Sequence, residues 1–525
     1  MPLTHFLMHP WRQVTRVCTL IWYVGLSCGV MVCLDGVPAV AASARVAIPG
    51  APHNAHQPGE PADALPGFIL IGLGDSLTHG TRDGTNNDIN TLRAYLQKIA
   101  ESLGQATALT FSQPLFDVQQ NRLQPFQVPT NLGVDGADAF SLEGFSYYKR
   151  AGVEESFITD AYLCDRRLPG RLEDKYDKVL YPINLLARQP VSQLDAAIWH
   201  LDQLVTAEDG AKALVIFWVG NNDSGTAALG FGGENPAFVP IPLEQIKPEI
   251  APALKVLLQL AQQEGALSFE AYTTATVERN LTELQDFVGQ YERLLTRLDA
   301  DGRLASGRVE LFLLTLPYYS SAGYLFDSDD LEYYLQKLDP TYTVPPTFKR
   351  VAPPGMPITD FVAGDRVSLL TFGLMYALLH SGYTVDYVNQ ALELNGQQRD
   401  DLVLSEAEQG VIRARIDGFN AAIKAAAASR GPHVHLVDVG QYVNDVLTGV
   451  TPVVVDGRLF SRKWIRGSSF TFDGVHPGYT GQAFIANFVL ARINDALGLR
   501  APVHDLSPIL AVDPSDVPVD TLSTN

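Results

Sequence analysis

The sequence predicts a mixed α/β domain built on a parallel sheet covered by helices on both faces. Two observations carry that expectation. Short apolar runs each deliver a polar loop at their end, as buried parallel strands do, and segments with helical spacing alternate with them.

The first such run is "GFILIGLGDS" (67–76), ending in Gly-Asp-Ser. "TLRAYLQKIAESLG" follows with apolar residues at 92, 95, 96, 99 and 103, a helical spacing that Gly104 is placed to cap. "SQLDAAIWHLDQLV" (192–205) has the same period, and "KALVIFWVGNND" (212–223) is a second strand running into a polar loop. "VERNLTELQDFVGQYERLLTRL" (277–298) reads as one long amphipathic helix and "RVELFLLTLPYY" (308–319) as a third strand. "SEAEQGVIRARIDGFNAAIKAAAAS" (405–429) gives another helix and "VHLVDVG" (434–440) a fourth strand.

Two stretches break this rhythm and read as insertions. One, 226–270, is Gly- and Pro-rich before a helix with apolar positions at 250, 254, 257, 258 and 261. The other, 324–402, is rich in aromatics and prolines and contains "VSLLTFGLMYALL" (367–379). That apolar stretch is either a helix packed into an inserted subdomain or a cover for an acyl chain.

The ends of the chain read as something other than domain. Arg12 and Arg16 precede an apolar run, Val17 to Leu34, and "AVAASA" follows with the small-residue spacing of a signal-peptidase site. Residues 1–41 are therefore expected to be an export signal, with an uncleaved anchor as the alternative. Residues 42–66 are a Pro-rich linker, 67–500 the domain, and 501–525 a C-terminal tail. Three of the four cysteines fall in the leader, which leaves Cys164 without a partner for a disulfide.

With 525 residues, 46% of them hydrophobic, the chain can bury a large core. A net charge of −20 repels polyphosphate, so a nucleic-acid partner is not expected, and contact with an anionic lipid surface would need a local exception. Small neutral or cationic substrates remain open.

In a parallel sheet, sites form where strands end. Ser76 stands after the first run, Asn222 and Asp223 after the second, and Asp473 and His476 near the C-terminus. A serine needs a base to become a nucleophile, the base needs an acceptor to fix its tautomer, and an oxyanion needs donors. "GDSLTHG" (74–80), "NLGVDGAD" (131–138), "GNND" (220–223) and "DGVHP" (473–477) stand in the order of the signature blocks of the SGNH, or GDSL, hydrolases, and the chain resembles that family over residues 66–497 apart from the insertions. It departs from many relatives at Leu73, where they carry an aromatic residue.

The resemblance implies a three-layer α/β/α, flavodoxin-like sandwich. It implies Ser76 as nucleophile, His476 as general base and Asp473 as the acceptor that orients the imidazole. It further implies an oxyanion hole made by the Ser76 and Gly136 N–H groups and the Asn222 amide. Each has a plain alternative: a turn serine, a loop histidine, a helix-capping asparagine. Asp75 is expected to brace its loop and His79 to sit at the rim.

No zinc-hydrolase histidine pair occurs, so neither a metal nor another cofactor is expected. The expected activity is hydrolysis of small-molecule or lipid carboxylic esters by an exported enzyme, with transient contact to a lipid surface open. Deacetylation of carbohydrate is the alternative, and a catalytically silent binding protein on the same fold is the rival from another class.

Overall fold

Five parallel strands form the central sheet of the computed structural model, which describes residues 67–516 apart from 84, 146, 148–174, 189–190, 207–209, 230–273 and 352–363. The expected export signal and linker (1–66), Cys164 and the first expected insertion beyond Leu229 lie outside the described residues. In chain order the framework is β1 (Phe68–Gly74), α1 (Ser76–His79), α2 (Tyr95–Ala106), β2 (Leu109–Thr110), α3 (Gln193–Thr206), β3 (Lys212–Trp218), α4 (Asn221–Leu229), α5 (Leu284–Leu298) and β4 (Val309–Leu314). It continues with α6 (Ser328–Leu335), α7 (Leu369–His380), α8 (Glu406–Ser429), β5 (Val434–Val437) and α9 (Tyr479–Leu497).

Strands β1, β3 and β4 are buried almost end to end, so no polar alternation marks them, as expected where apolar side chains are covered on both sides of a sheet. The strand order is β5-β4-β3-β1-β2, and all four pairings are parallel. The direction of winding therefore reverses between β1 and β3, and their C-terminal ends flank the crevice in which such sheets hold ligands. Gly74 pairs with Trp218 at that edge. The bulk of the core lies between this sheet and its helices: α2 packs on α9 and α5 on α8. Among the described residues no helix is long and apolar enough to cross a membrane.

Helix ends follow local chemistry. Ser405 and Glu408 close a reciprocal cap at the start of α8, and Asp327 and Asp330 do the same for α6. Gly104 does not end its helix: α2 runs through it to Ala106, with Thr107 as C-cap, because the apolar contacts of Ile99 and Leu103 outweigh the roughly 1 kcal/mol that an interior glycine costs. The single helix expected over 277–298 is two, Thr274–Asn280 and Leu284–Leu298. The break lets Thr282 bond Asp223, through both its Oγ1 (2.7 Å) and its N–H.

The second insertion forms a hydrophobic cluster of its own, drawn from residues 326–403. Three short antiparallel strands, Leu325–Phe326, Arg366–Ser368 and Val403–Leu404, close its base. Helix α7 is the centre of this cluster. Met375 is fully buried, and Phe372 stacks on Phe326 with ring centroids 4.3 Å apart. The burial of Phe372, Leu374, Met375, Leu378 and Leu379 favours the subdomain-helix reading of Val367–Leu379 over the acyl-cover alternative, with Gly373 and His380 on the exposed side of the helix.

The segment beyond residue 500 is tied into the domain as far as it is described. Ala501 and Leu510 are buried. Gly478, at the N-cap of α9, has no side chain with which to cap, and Asp513 supplies the acceptor from the tail, taking the Thr480 N–H at 2.8 Å and the Thr480 hydroxyl at 3.0 Å. Ser515 accepts from the Arg82 guanidinium at 2.8 Å.

Candidate active site

Ser76 is the first residue after the β1 turn and opens α1. Asp75 caps that helix by accepting the Leu77 N–H at 2.9 Å through Oδ1, while its Oδ2 accepts from Asn221 Nδ2 at 2.9 Å. The expectation that Asp75 braces the loop is met. Burial pushes its carboxyl up to about 6, against the lowering effect of Asn221, Leu77 and His476.

The segment 131–138 is laid along the end of β1 as an extra ladder: the Leu132 N–H donates to the Gly72 carbonyl (2.8 Å) and the Val134 N–H to the Gly74 carbonyl (3.1 Å). Asn131 locks it to α1 by donating to the Thr78 carbonyl at 2.8 Å. The chain then turns over 134–137, where Gly136 takes φ +74°, a conformation that a side chain disfavours. Asp135, beside it, accepts the Thr81 hydroxyl at 2.5 Å.

Each side chain of "NND" at the start of α4 has a different partner. Asn221 faces Asp75, Asn222 donates to the Ala137 carbonyl at 2.9 Å, and Asp223 accepts the Ala139 N–H at 2.9 Å. The Asn222 amide is thus held next to Gly136.

The fourth block is a self-braced turn. Asp473 Oδ1 accepts the Val475 and His476 N–H groups (both 2.9 Å) and the Thr471 hydroxyl (2.8 Å), and its Oδ2 lies 2.7 Å from His476 Nδ1. Gly474 at φ +69° allows the turn, and a Cβ there would come within 2.6 Å of the Tyr324 nitrogen. Nε2 of His476 is left as the ring nitrogen for chemistry. Burial opposes a charge on His476, but the carboxylates of Asp473, Asp135 and Asp75 outweigh it and push the imidazole up to about 9. Burial likewise opposes ionisation of Asp473, yet the facing imidazole and the N–H bonds hold it far below the usual carboxylate range.

The structure therefore brings Ser76, Gly136, Asn222, Asp473 and His476 into one region at the C-terminal ends of β1 and β3. His476 lies in the field of Asp75 and Asp135, the residues directly before Ser76 and Gly136. His79 is not at a rim. It is fully buried against Phe116, with Nδ1 3.9 Å from Asp135. Sequence reasoning missed Asn131, Asp135 and Asn221 as braces. Each stands inside a quoted block, so position offered a signal, but which of two adjacent asparagines faces which loop depends on the pitch of α4.

Comparison of the chain with protein-family models, curated proteins and solved structures finds no match. The chemistry must be read from the arrangement itself: a serine, an imidazole whose tautomer is set by a carboxylate, and neutral donors on two neighbouring loops.

Proposed function

We propose that the protein is an exported serine hydrolase of the SGNH/GDSL type, on a flavodoxin-like α/β/α sandwich, that cleaves carboxylic esters through an acyl-enzyme on Ser76. The observation that carries the reading is the Asp473–His476 pair set against the Ser76 loop at the strand-order reversal. In the first step His476 Nε2 takes the Ser76 hydroxyl proton as Oγ bonds the ester carbonyl carbon. Donors from the Ser76 and Gly136 N–H groups and the Asn222 amide meet the resulting oxyanion. Collapse breaks the bond to the alkoxide, which leaves with the proton from His476. A water then enters by the same route in reverse roles, releasing the acid and restoring Ser76.

The inserted subdomain gives no support to a long-chain lipid substrate, because α7 is its core. The test is labelling with a fluorophosphonate probe and turnover of p-nitrophenyl acetate. Ser76→Ala should abolish labelling, and Ser76→Ala, His476→Ala and the double variant should each lower kcat by a similar factor, on the order of 10⁴ or more. A double variant another ten-thousandfold below the singles would show that the two do not act as one unit, and a wild type that neither labels nor turns over would sink the reading.

A further inference from the structure

One peptide group at the candidate site is gripped at both ends by side chains from distant parts of the chain. The carbonyl of Phe472 accepts the Trp464 indole N–H at 2.9 Å, and the N–H of the same peptide, that of Asp473, donates to Asp83 Oδ1 at 3.3 Å. Both side chains are themselves fixed. Asp83 lies in a turn closed by two backbone hydrogen bonds between Arg82 and Thr85 (2.7 and 2.8 Å), seven residues after Ser76. The Trp464 ring packs against Phe326, Tyr334 and Phe372 of the inserted cluster, with centroids 5.5 to 6.0 Å away. Its own carbonyl accepts the Tyr334 hydroxyl at 2.5 Å, and its neighbours Arg462 and Lys463 pair with Asp327 at the start of α6.

The turn 471–476 is rigid within itself, because Asp473 and the Thr471 N–H bond to the His476 carbonyl (2.8 Å) close it. A rigid unit still has to be placed, and its placement comes from outside. Asp83 bears a carboxylate close to that of Asp473, and burial together with that like charge pushes Asp83 up. Arg82 Nε, 3.4 Å from Asp83 Oδ2, offsets part of that repulsion and helps keep the acceptor beside this N–H.

Resting on the hydrolase reading above, we propose that Asp83 and Trp464 are positioning residues that set the register of Asp473 and His476 against Ser76, so that the inserted subdomain acts on the reaction through the Trp464 indole N–H. A displacement of about 1 Å at reacting atoms can cost on the order of 100-fold, so a modest rotation of this peptide is enough to matter.

The experiment compares Trp464→Phe, Asp83→Ala, Asp83→Asn and the double Trp464→Phe/Asp83→Ala with wild type, using p-nitrophenyl acetate turnover. Trp464→Phe keeps a ring in the cluster and removes the donor, so kcat should fall about tenfold with KM within about twofold and thermal midpoint little changed. Asp83→Ala should fall comparably, and Asp83→Asn, which keeps an acceptor, should recover most of the loss. Because both groups hold one peptide, the double variant should lose far less than the product of the single losses.

A second readout does not need turnover. In ¹⁵N-histidine-labelled protein, with the His476 signal assigned by His476→Gln, the imidazole should titrate lower in Trp464→Phe than in wild type. That substitution alters no charge among the carboxylates of Asp473, Asp135, Asp75 and Asp83. Leu378→Ala, buried in the same cluster, should lower thermal stability and leave both kcat and the titration unchanged. Wild-type values of kcat and titration in Trp464→Phe and Asp83→Ala overturn the proposal, as does a Leu378→Ala variant that reproduces their effects. Missing turnover and labelling in the wild type counts against the hydrolase reading alone, since the titration still decides the clamp.

Discussion

At the residue scale, His476 decides how the site responds to pH. A general base must be neutral to take a proton, and three carboxylates favour its charged form, so the free enzyme should gain kcat/KM as pH rises through about 9. Asp473→Asn removes the largest of those charges; the limb should then move down toward the ordinary imidazole value, about 6.5, while kcat drops by a factor on the order of 10³. A pH–rate profile in which the limb stays put would show that Asp473 does not face the working base. Asn222 gives the second residue-level outcome. If its amide serves the oxyanion, Asn222→Ala should lose about 10²–10³ in kcat with KM little changed. If the amide only ties α4 to Ala137, the variant should lose thermal stability and keep its kcat. Ser76, Gly136, Asn222, Asp473 and His476 could be singled out in the sequence because each stands in one of four short ordered blocks, and those of Ser76 and Asn222 follow sheet strands. Asp83 and Trp464 were not, since nothing in their neighbours marks a side chain whose partner is a backbone group 390 residues away, or on a loop ordered by another subdomain.

At the element scale, four of the five sheet strands were legible because each carries a concentration of apolar residues between helical segments, shortest in β5. Strand β2 was not: two residues, Leu109 and Thr110, carry no period, and their pairing with Phe68 and Ile69 is a tertiary fact. The break at 281–283 was hidden for a related reason. Val277, Phe287, Tyr291 and Leu294 keep a near-helical spacing across it, while the interruption is set by Thr282 reaching Asp223. Helix α7 teaches the reverse lesson, since a run of apolar residues with no polar face packs most of its side chains into the subdomain core, leaving Gly373 and His380 exposed. Phe372→Ala should therefore cost about 3–5 kcal/mol of stability by denaturant titration. Relative rates on p-nitrophenyl acetate, butyrate and octanoate should stay as in wild type. A selective loss on octanoate without loss of stability would restore the idea of an acyl-binding helix.

At the scale of the whole molecule, the parallel sheet was readable from the residues themselves, while its strand order was implied only through the flavodoxin-like resemblance, because order is fixed by crossovers that leave no local trace. That order matters most for the site, since it sets the ends of β1 and β3 side by side. The tail is the other global feature that composition concealed: Asp513 caps α9, the helix that begins just after His476, and Ser515 holds Arg82 next to Asp83. A chain ending at Arg500 should lose about 3–5 kcal/mol, from exposure of Leu510 and loss of the Asp513 cap, and should lose turnover at temperatures where it is still folded. Retained activity and stability would show that the tail is dispensable. The Arg82–Ser515 contact, between residues 433 positions apart, also bears on the order of events during synthesis. The serine loop emerges from the ribosome early, and the groups that complete its surroundings emerge hundreds of residues later, so the reactive geometry should form last and slowly. On the proposed reading, a nascent chain cannot hydrolyse esters until Asp473 and His476 have followed the serine loop out of the ribosome.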